Sequence, residues 1–136
     1  MSSFSIFDIA GSGMSAQSVR LNTVASNLAN AESVSGTAAG AYRARHPVFK
    51  AEQPADPSDP GAGVAVQGIV ESTQAPDKHY DPGNPLANSD GYVYSPNVNT
   101  VAEMVDMISA SRSYQNNVEV MNTARTLMLA TLKLGQ

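Results

Sequence analysis

The chain of 136 residues contains no cysteine and no tryptophan. Without cysteine there is no disulfide, no thiolate metal site and no cysteine nucleophile. With aromatic residues at only 6 %, a large self-sufficient core is not expected. Long apolar runs are also missing: no stretch of eighteen apolar residues exists, so no membrane span is expected. A cleaved secretory leader is not expected either. Ser2, Ser3, Ser5, Asp8, Gly11 and Gly13 interrupt the N-terminal apolar residues, and no basic segment precedes them. Charge is scarce at the start, where residues 1–41 hold only Asp8, Arg20 and Glu32. So few charges keep a free helix poorly soluble, which suggests that this third of the chain becomes covered. The balance is acidic, at net −4 with pI about 4.9, and disfavours non-specific nucleic-acid binding.

Two apolar repeats stand out, one at each end. The first runs Phe7, Ala10, Met14, Gln17, Leu21, Val24, Leu28, Ala31; the second runs Met104, Met107, Ser111, Tyr114, Val118, Met121, Arg125, Met128, Leu132. Alternating steps of three and four residues form the seam of an α-helical coiled coil. The first helix is expected over residues 3–32, with Gly11 and Gly13 each weakening it by about 1 kcal/mol relative to Ala. The second is expected from Thr100, where Thr100 and Glu103 fit a capping box, to a stop at Gly135. An antiparallel pairing of the two seams would set Leu28 opposite Met107, Leu21 opposite Tyr114, Met14 opposite Met121 and Phe7 opposite Met128. Asp8 would then lie within reach of Arg125. Arg125 reads either as a register-setting polar residue or as a snorkelling one. The methionines read as core filling or as an adaptable subunit surface.

Between the helices lie about seventy residues rich in Pro, Gly and Asp. Residues 42–52 and 63–74 are expected to form a β-hairpin, with Pro47 confining the first strand to an edge or bulge. Gln53–Gly63 is turn chemistry, and residues 75–99 read as loop with a short extended piece at Tyr92–Tyr94. The expected fold is therefore mainly α: long N- and C-terminal helices in a coiled-coil-like bundle, with a small β-hairpin and a turn-rich middle. Residues 1–33 and 96–136 would together form a terminal helical assembly domain, and residues 34–95 an inserted hairpin and loop region.

No catalytic signature emerges. The Asp77-Lys78-His79-Tyr80-Asp81 cluster lacks defined ligand geometry and reads as a solvated turn. His46 beside Pro47 reads as surface, and Gly61-Ala62-Gly63 lacks the Lys-Ser/Thr and helix start of a phosphate loop. No catalytic residue, cofactor or metal is expected.

The segment LNTVASNLANAES at residues 21–33, with its core Asn27-Leu28-Ala29-Asn30, resembles the N-terminal signature of the bacterial flagellar rod and hook axial proteins. The segments at 80–99 and 103–135, with GSGMSAQSVRLN at 11–22 and YRARHPVF at 42–49, extend the resemblance over nearly the whole chain, most specifically to rod subunits. Residues 34–41 depart from the pattern in lacking the proline and basic residues expected there. The resemblance implies a structural subunit of the proximal rod, which crosses the periplasm and transmits torque. It implies export by the flagellar type III apparatus without a cleaved signal. It further implies side-by-side packing of terminal helices around the export channel, against other copies and rod subunits of the FlgB, FlgF and FliE types. The interface residues expected are Met14, Leu21, Val24, Leu28, Met104, Met107, Tyr114, Val118, Met121, Met128 and Leu132. The competing reading is a cytoplasmic coiled-coil adaptor or export chaperone.

Overall fold

The computed structural model describes residues 3–53 and 61–134. Helix α1 spans Ser3–Asn30, strand β1 Arg45–Glu52, β2 Gly63–Glu71, β3 Asp77–Tyr80 and β4 Tyr92–Ser95, and helix α2 spans Thr100–Leu134. The expected turn at 53–63 lies largely outside the described residues, and the stop at Gly135 wholly so.

The two long helices match expectation, but the class does not: the middle holds two separate two-stranded antiparallel sheets, β1–β2 and β3–β4. The fold is thus two helices with two small sheets, rather than mainly α with one hairpin. Asp, Lys and His have weak strand preference, which is why Asp77–Tyr80 reads as a turn. Pairing supplies what propensity does not. The Tyr80 and Tyr92 rings meet edge to face at 5.1 Å, and the Lys78 ammonium sits 3.9 Å from the centre of the Tyr92 ring. The backbone of Ser35 exchanges both hydrogen bonds with Tyr94, at 2.9 and 2.8 Å, extending this sheet by one bridge. Between β3 and β4 the chain turns back at Gly91, whose φ of +79° suits glycine alone; a Cβ there would stand 2.9 Å from the Tyr80 ring.

The β1–β2 hairpin lies along α1. Its first strand begins beside Asn27, where the Asn27 side chain bonds the Arg45 backbone. Its second begins beside Ser12, whose Oγ accepts from the Val64 N–H. Fifteen helical residues rise about 22 Å, and the six steps from Arg45 to Ala51, the partner of Val64, extend about 20 Å, so the strand and the helix span between these two ties nearly match in length. Pro47 is accommodated because a two-stranded ribbon has only edges, and a bulge follows between Val48 and Phe49.

The helices pair antiparallel. Gly13 approaches Asn117 so closely that a Cβ on it would lie 2.8 Å from Asn117 Nδ2, and Asn27 bonds Glu103. Fourteen residues separate each pair of anchors on both helices, which fixes the register. Leu21 is then level with about Ser109, and Tyr114 lies about five residues, or about 7.5 Å, further on. That exceeds one turn of about 5.4 Å, so the register read from the heptads is corrected. The interhelical ion pair joins Arg20 to Asp106 at 2.6 Å; Asp8 and Arg125 are both exposed.

The seam itself explains the slip. Along α2, Glu103, Ala110, Asn117 and Ala124 face α1, a heptad of small and polar side chains, and the stripe residues Met107, Met121 and Met128 lie half-buried beside them. Ala110 is fully buried. On α1 the buried residues include Ala10, Ala16, Thr23, Val24 and Asn27. The sequence pattern assigns large apolar residues to the whole intramolecular seam, whereas small residues interrupt them, and at Gly13 and Ala110 the two helices approach closely.

Candidate functional site: the Asn27 junction and the outward face of α2

At the C-terminal end of α1, Asn27 is completely buried. Its Nδ2 donates to the Arg45 carbonyl at 2.9 Å and to Glu103 Oε2 at 3.1 Å. Its Oδ1 accepts from the Arg45 N–H and from the Tyr42 hydroxyl, each at 2.9 Å. An amide offers two donors and two acceptor sites, so its capacity is filled. Toward Arg45 the side chain imitates a β-bridge, since it both gives to and takes from one residue's backbone. Because the Tyr42 proton goes to Asn27, the Ser26 hydroxyl, 3.1 Å from Tyr42 Oη, donates in turn to the phenol. One side chain thereby ties α1 to the entry of the hairpin and to the first turn of α2.

Glu103 is buried as well, and its role differs from the expected capping box. The cap of α2 is Asn99, whose Oδ1 accepts from the Ala102 N–H at 3.0 Å, a position ahead of Thr100 in the chain. With the cap supplied there, the Glu103 carboxylate is free to reach across to Asn27. Asn30, the last residue of α1, acts locally. Its Nδ2 returns to the Ser26 carbonyl at 2.8 Å, while its own carbonyl accepts from Ser33 Oγ and the Ser33 N–H. Leu28 is half-buried and Ala29 exposed. Of the four motif residues, Asn27 builds the junction and Asn30 closes the helix. Glu103 and Tyr42, which complete the junction, are not among the expected site residues. No sequence signal marks them, because their link to Asn27 is made only by the fold.

The expected packing residues divide. Val24 is buried, and Met14, Leu21, Leu28, Met107, Val118, Met121 and Met128 are half-buried. Met104, Tyr114 and Leu132 are exposed. The side of α2 directly opposite the seam carries Val101, Met104, Val105 and Ile108, exposed by 54–69 %. Helical geometry at 100° per residue brings these four onto one stripe. Buried side-chain nitrogen and oxygen atoms are otherwise satisfied among the described residues, apart from Gln17 Oε1, which lacks a hydrogen-bond partner.

Among the described residues, no three His, Asp or Glu side chains gather as a metal site, and no helix is long and apolar enough to cross a membrane. His79 and the flanking Asp77 and Asp81 are exposed on and beside β3 rather than in a turn. The geometry of this chain is that of contact surfaces.

Comparison with known proteins agrees. The sequence model of the family "Flagella basal body rod protein" matches residues 7–36, and that of "Flagellar basal body rod FlgEFG protein C-terminal" matches residues 89–134. The chain is 56 % identical to the flagellar basal-body rod protein FlgC of Salmonella typhimurium, covering all of both chains. It is 57 % identical to FlgC of Escherichia coli O157:H7 and 36 % identical to FlgC of Buchnera aphidicola from Baizongia pistaciae, again over the full length of both. With identity of this order sustained from end to end, the chain belongs to the FlgC family of flagellar basal-body rod proteins and is a structural subunit of that rod.

Proposed function

We propose that this rod subunit assembles chiefly through the outward faces of its two terminal helices, with the two small sheets serving as the outer fitting. The observation that carries this reading is the start of α2, where Glu103 and Ala110 are buried against α1 while Val101, Met104, Val105 and Ile108 stand exposed on the opposite side. A monomer gains little by exposing Val101, Met104, Val105 and Ile108. Burying a fully exposed apolar side chain is worth about 1.5–3 kcal/mol, and covering the exposed half or more of each of these four contributes the corresponding share toward the cost of bringing subunits together. The terminal helices, residues 1–33 and 96–136, then form the assembly unit, and residues 34–95 the insert. The neighbours are further copies and subunits of the FlgB, FlgF and FliE types, in a proximal rod that surrounds the export channel and transmits torque. Export proceeds through the flagellar type III apparatus without a cleaved signal. The role is mechanical, and no catalytic step is assigned to any residue.

Ile108→Asp tests this reading. It places a charge in the outward face without touching the seam, so the stability of the purified chain should change by no more than about 0.5 kcal/mol. Rods in a strain carrying only this variant should be incomplete by electron microscopy, although the protein is made and exported. Full-length rods at normal abundance would contradict the assignment of this face.

A further inference from the structure

At the free end of the helix pair, away from the Asn27 junction, lies an open apolar groove of about 450 Å³ between the start of α1 and the second half of α2. Ile6, Val120, Ala124 and Leu127 line it, with Glu119 at its rim. Just beyond, α2 outruns its partner. The register sets Ser3 level with about residue 127, so from about Ala130 onward α2 passes the described start of α1. Leu132 lies on the continuation of the intramolecular seam, yet it is 64 % exposed because no described part of α1 is level with it. Lys133 follows, in the last turn of the helix.

The groove and the overhang are complementary. One is an apolar trough with a carboxylate at its edge, and the other is an apolar ridge ending in an ammonium. They cannot meet within one chain, because Val120 and Leu132 sit on one helix about 18 Å apart. Resting on the assembly reading above, we propose that the overhang of one copy seats in the groove of a second copy, with Leu132 against Val120 and Leu127 and Lys133 toward Glu119. Bringing overhang and groove level requires two parallel copies offset along the helix axis by about ten residues, or about 15 Å. The two surfaces are different patches, so the contact is heterologous. Repeated with an axial offset, it does not close, and it generates a helical array.

The absence of cysteine makes a direct test clean. A Val120→Cys, Leu132→Cys double variant should, on oxidation of isolated basal bodies, give a ladder beginning at twice the 14.2 kDa chain mass. A disulfide demands Cβ atoms about 4 Å apart, which excludes the intrachain link. Basal bodies that contain the variant yet give no ladder would overturn the proposal while leaving the rod assignment intact. A Leu132→Cys variant that cross-links alone would overturn it as well, since overhang would then meet overhang. Equally fast thiol labelling of an Ile108→Cys variant in free subunit and in basal bodies would overturn the assembly reading on which the proposal rests, independently of the ladder. Independently, Glu119→Lys should reduce the swarm diameter and Lys133→Glu in the same chain should restore it; no restoration contradicts the pairing.

Discussion

Asn27→Ala is expected to destabilise the chain by about 3–5 kcal/mol and to abolish rod completion. The truncation strands the Arg45 N–H, the Arg45 carbonyl, the Tyr42 hydroxyl and the Glu103 carboxylate, all of which share one buried amide. Each group left unsatisfied costs about 1–3 kcal/mol, and a charged one more. Because domains are stable by only about 5–15 kcal/mol, this is a large part of the whole. Asn27→Asp should be worse despite its near-identical shape. Its carboxylate has no N–H to give the Arg45 carbonyl, and it faces the Glu103 carboxylate across 3.1 Å of buried space. Urea denaturation of the purified variants should give the stability order wild type, Ala, Asp. Assembly should suffer more than export, because export carries the chain before the junction forms. Normal rods in the Asn27→Ala strain would show that the junction is dispensable.

Ala110→Leu is the second large effect. Ala110 is fully buried where the two helices meet, and it is level with Arg20. Three added carbons have nowhere to go except by prising the helices apart, a cost of about 1–3 kcal/mol from overpacking alone. Separation also lengthens the Arg20–Asp106 contact and pulls Glu103 from Asn27, so the loss should reach the upper end of that range. The same change at exposed Ala29 on α1 should alter stability by no more than about 0.5 kcal/mol. Thermal denaturation of the two variants side by side separates packing at the seam from any general effect of added leucine. Gly13 responds differently. Its nearest obstacle is the end of the Asn117 side chain, which can rotate away, so Gly13→Ala sets a small adjustment against a helix-propensity gain of about 1 kcal/mol.

The two helices are legible in the sequence because each carries a sustained apolar repeat of three and four residues, over residues 14–31 and 104–132, unbroken by Gly or Pro. Asn27 is legible too, through its resemblance to the axial-protein signature. What its side chain does is hidden, since all its partners lie at least fifteen residues away and reach it only through tertiary structure. Glu103 misleads for a related reason: a Thr–Glu pair at capping distance offers a local partner, and Asn99 displaces it. Strand β3 escapes notice because Asp77-Lys78-His79-Tyr80 is a strand by virtue of what it pairs with. The heptads place the seam of α2 one position off, toward the methionines. The periodicity does not separate the methionines that end half-buried, Met107, Met121 and Met128, from Met104, which is exposed, because spacing alone does not show where α1 ends up.

The central claim is that the first turns of α2 point Glu103 and Ala110 to their own chain and keep the exposed Val101, Met104, Val105 and Ile108 for neighbours. Reactivity at position 108 tests it most directly. Ile108→Cys supplies the sole thiol of the chain, and a maleimide label can be applied to purified subunit and to isolated basal bodies alike. Rapid labelling is expected in the subunit, where this position is more than half exposed, and at least tenfold slower labelling in basal bodies. Equal rates in the two states would place the outward face of α2 in solvent within the rod and contradict the claim.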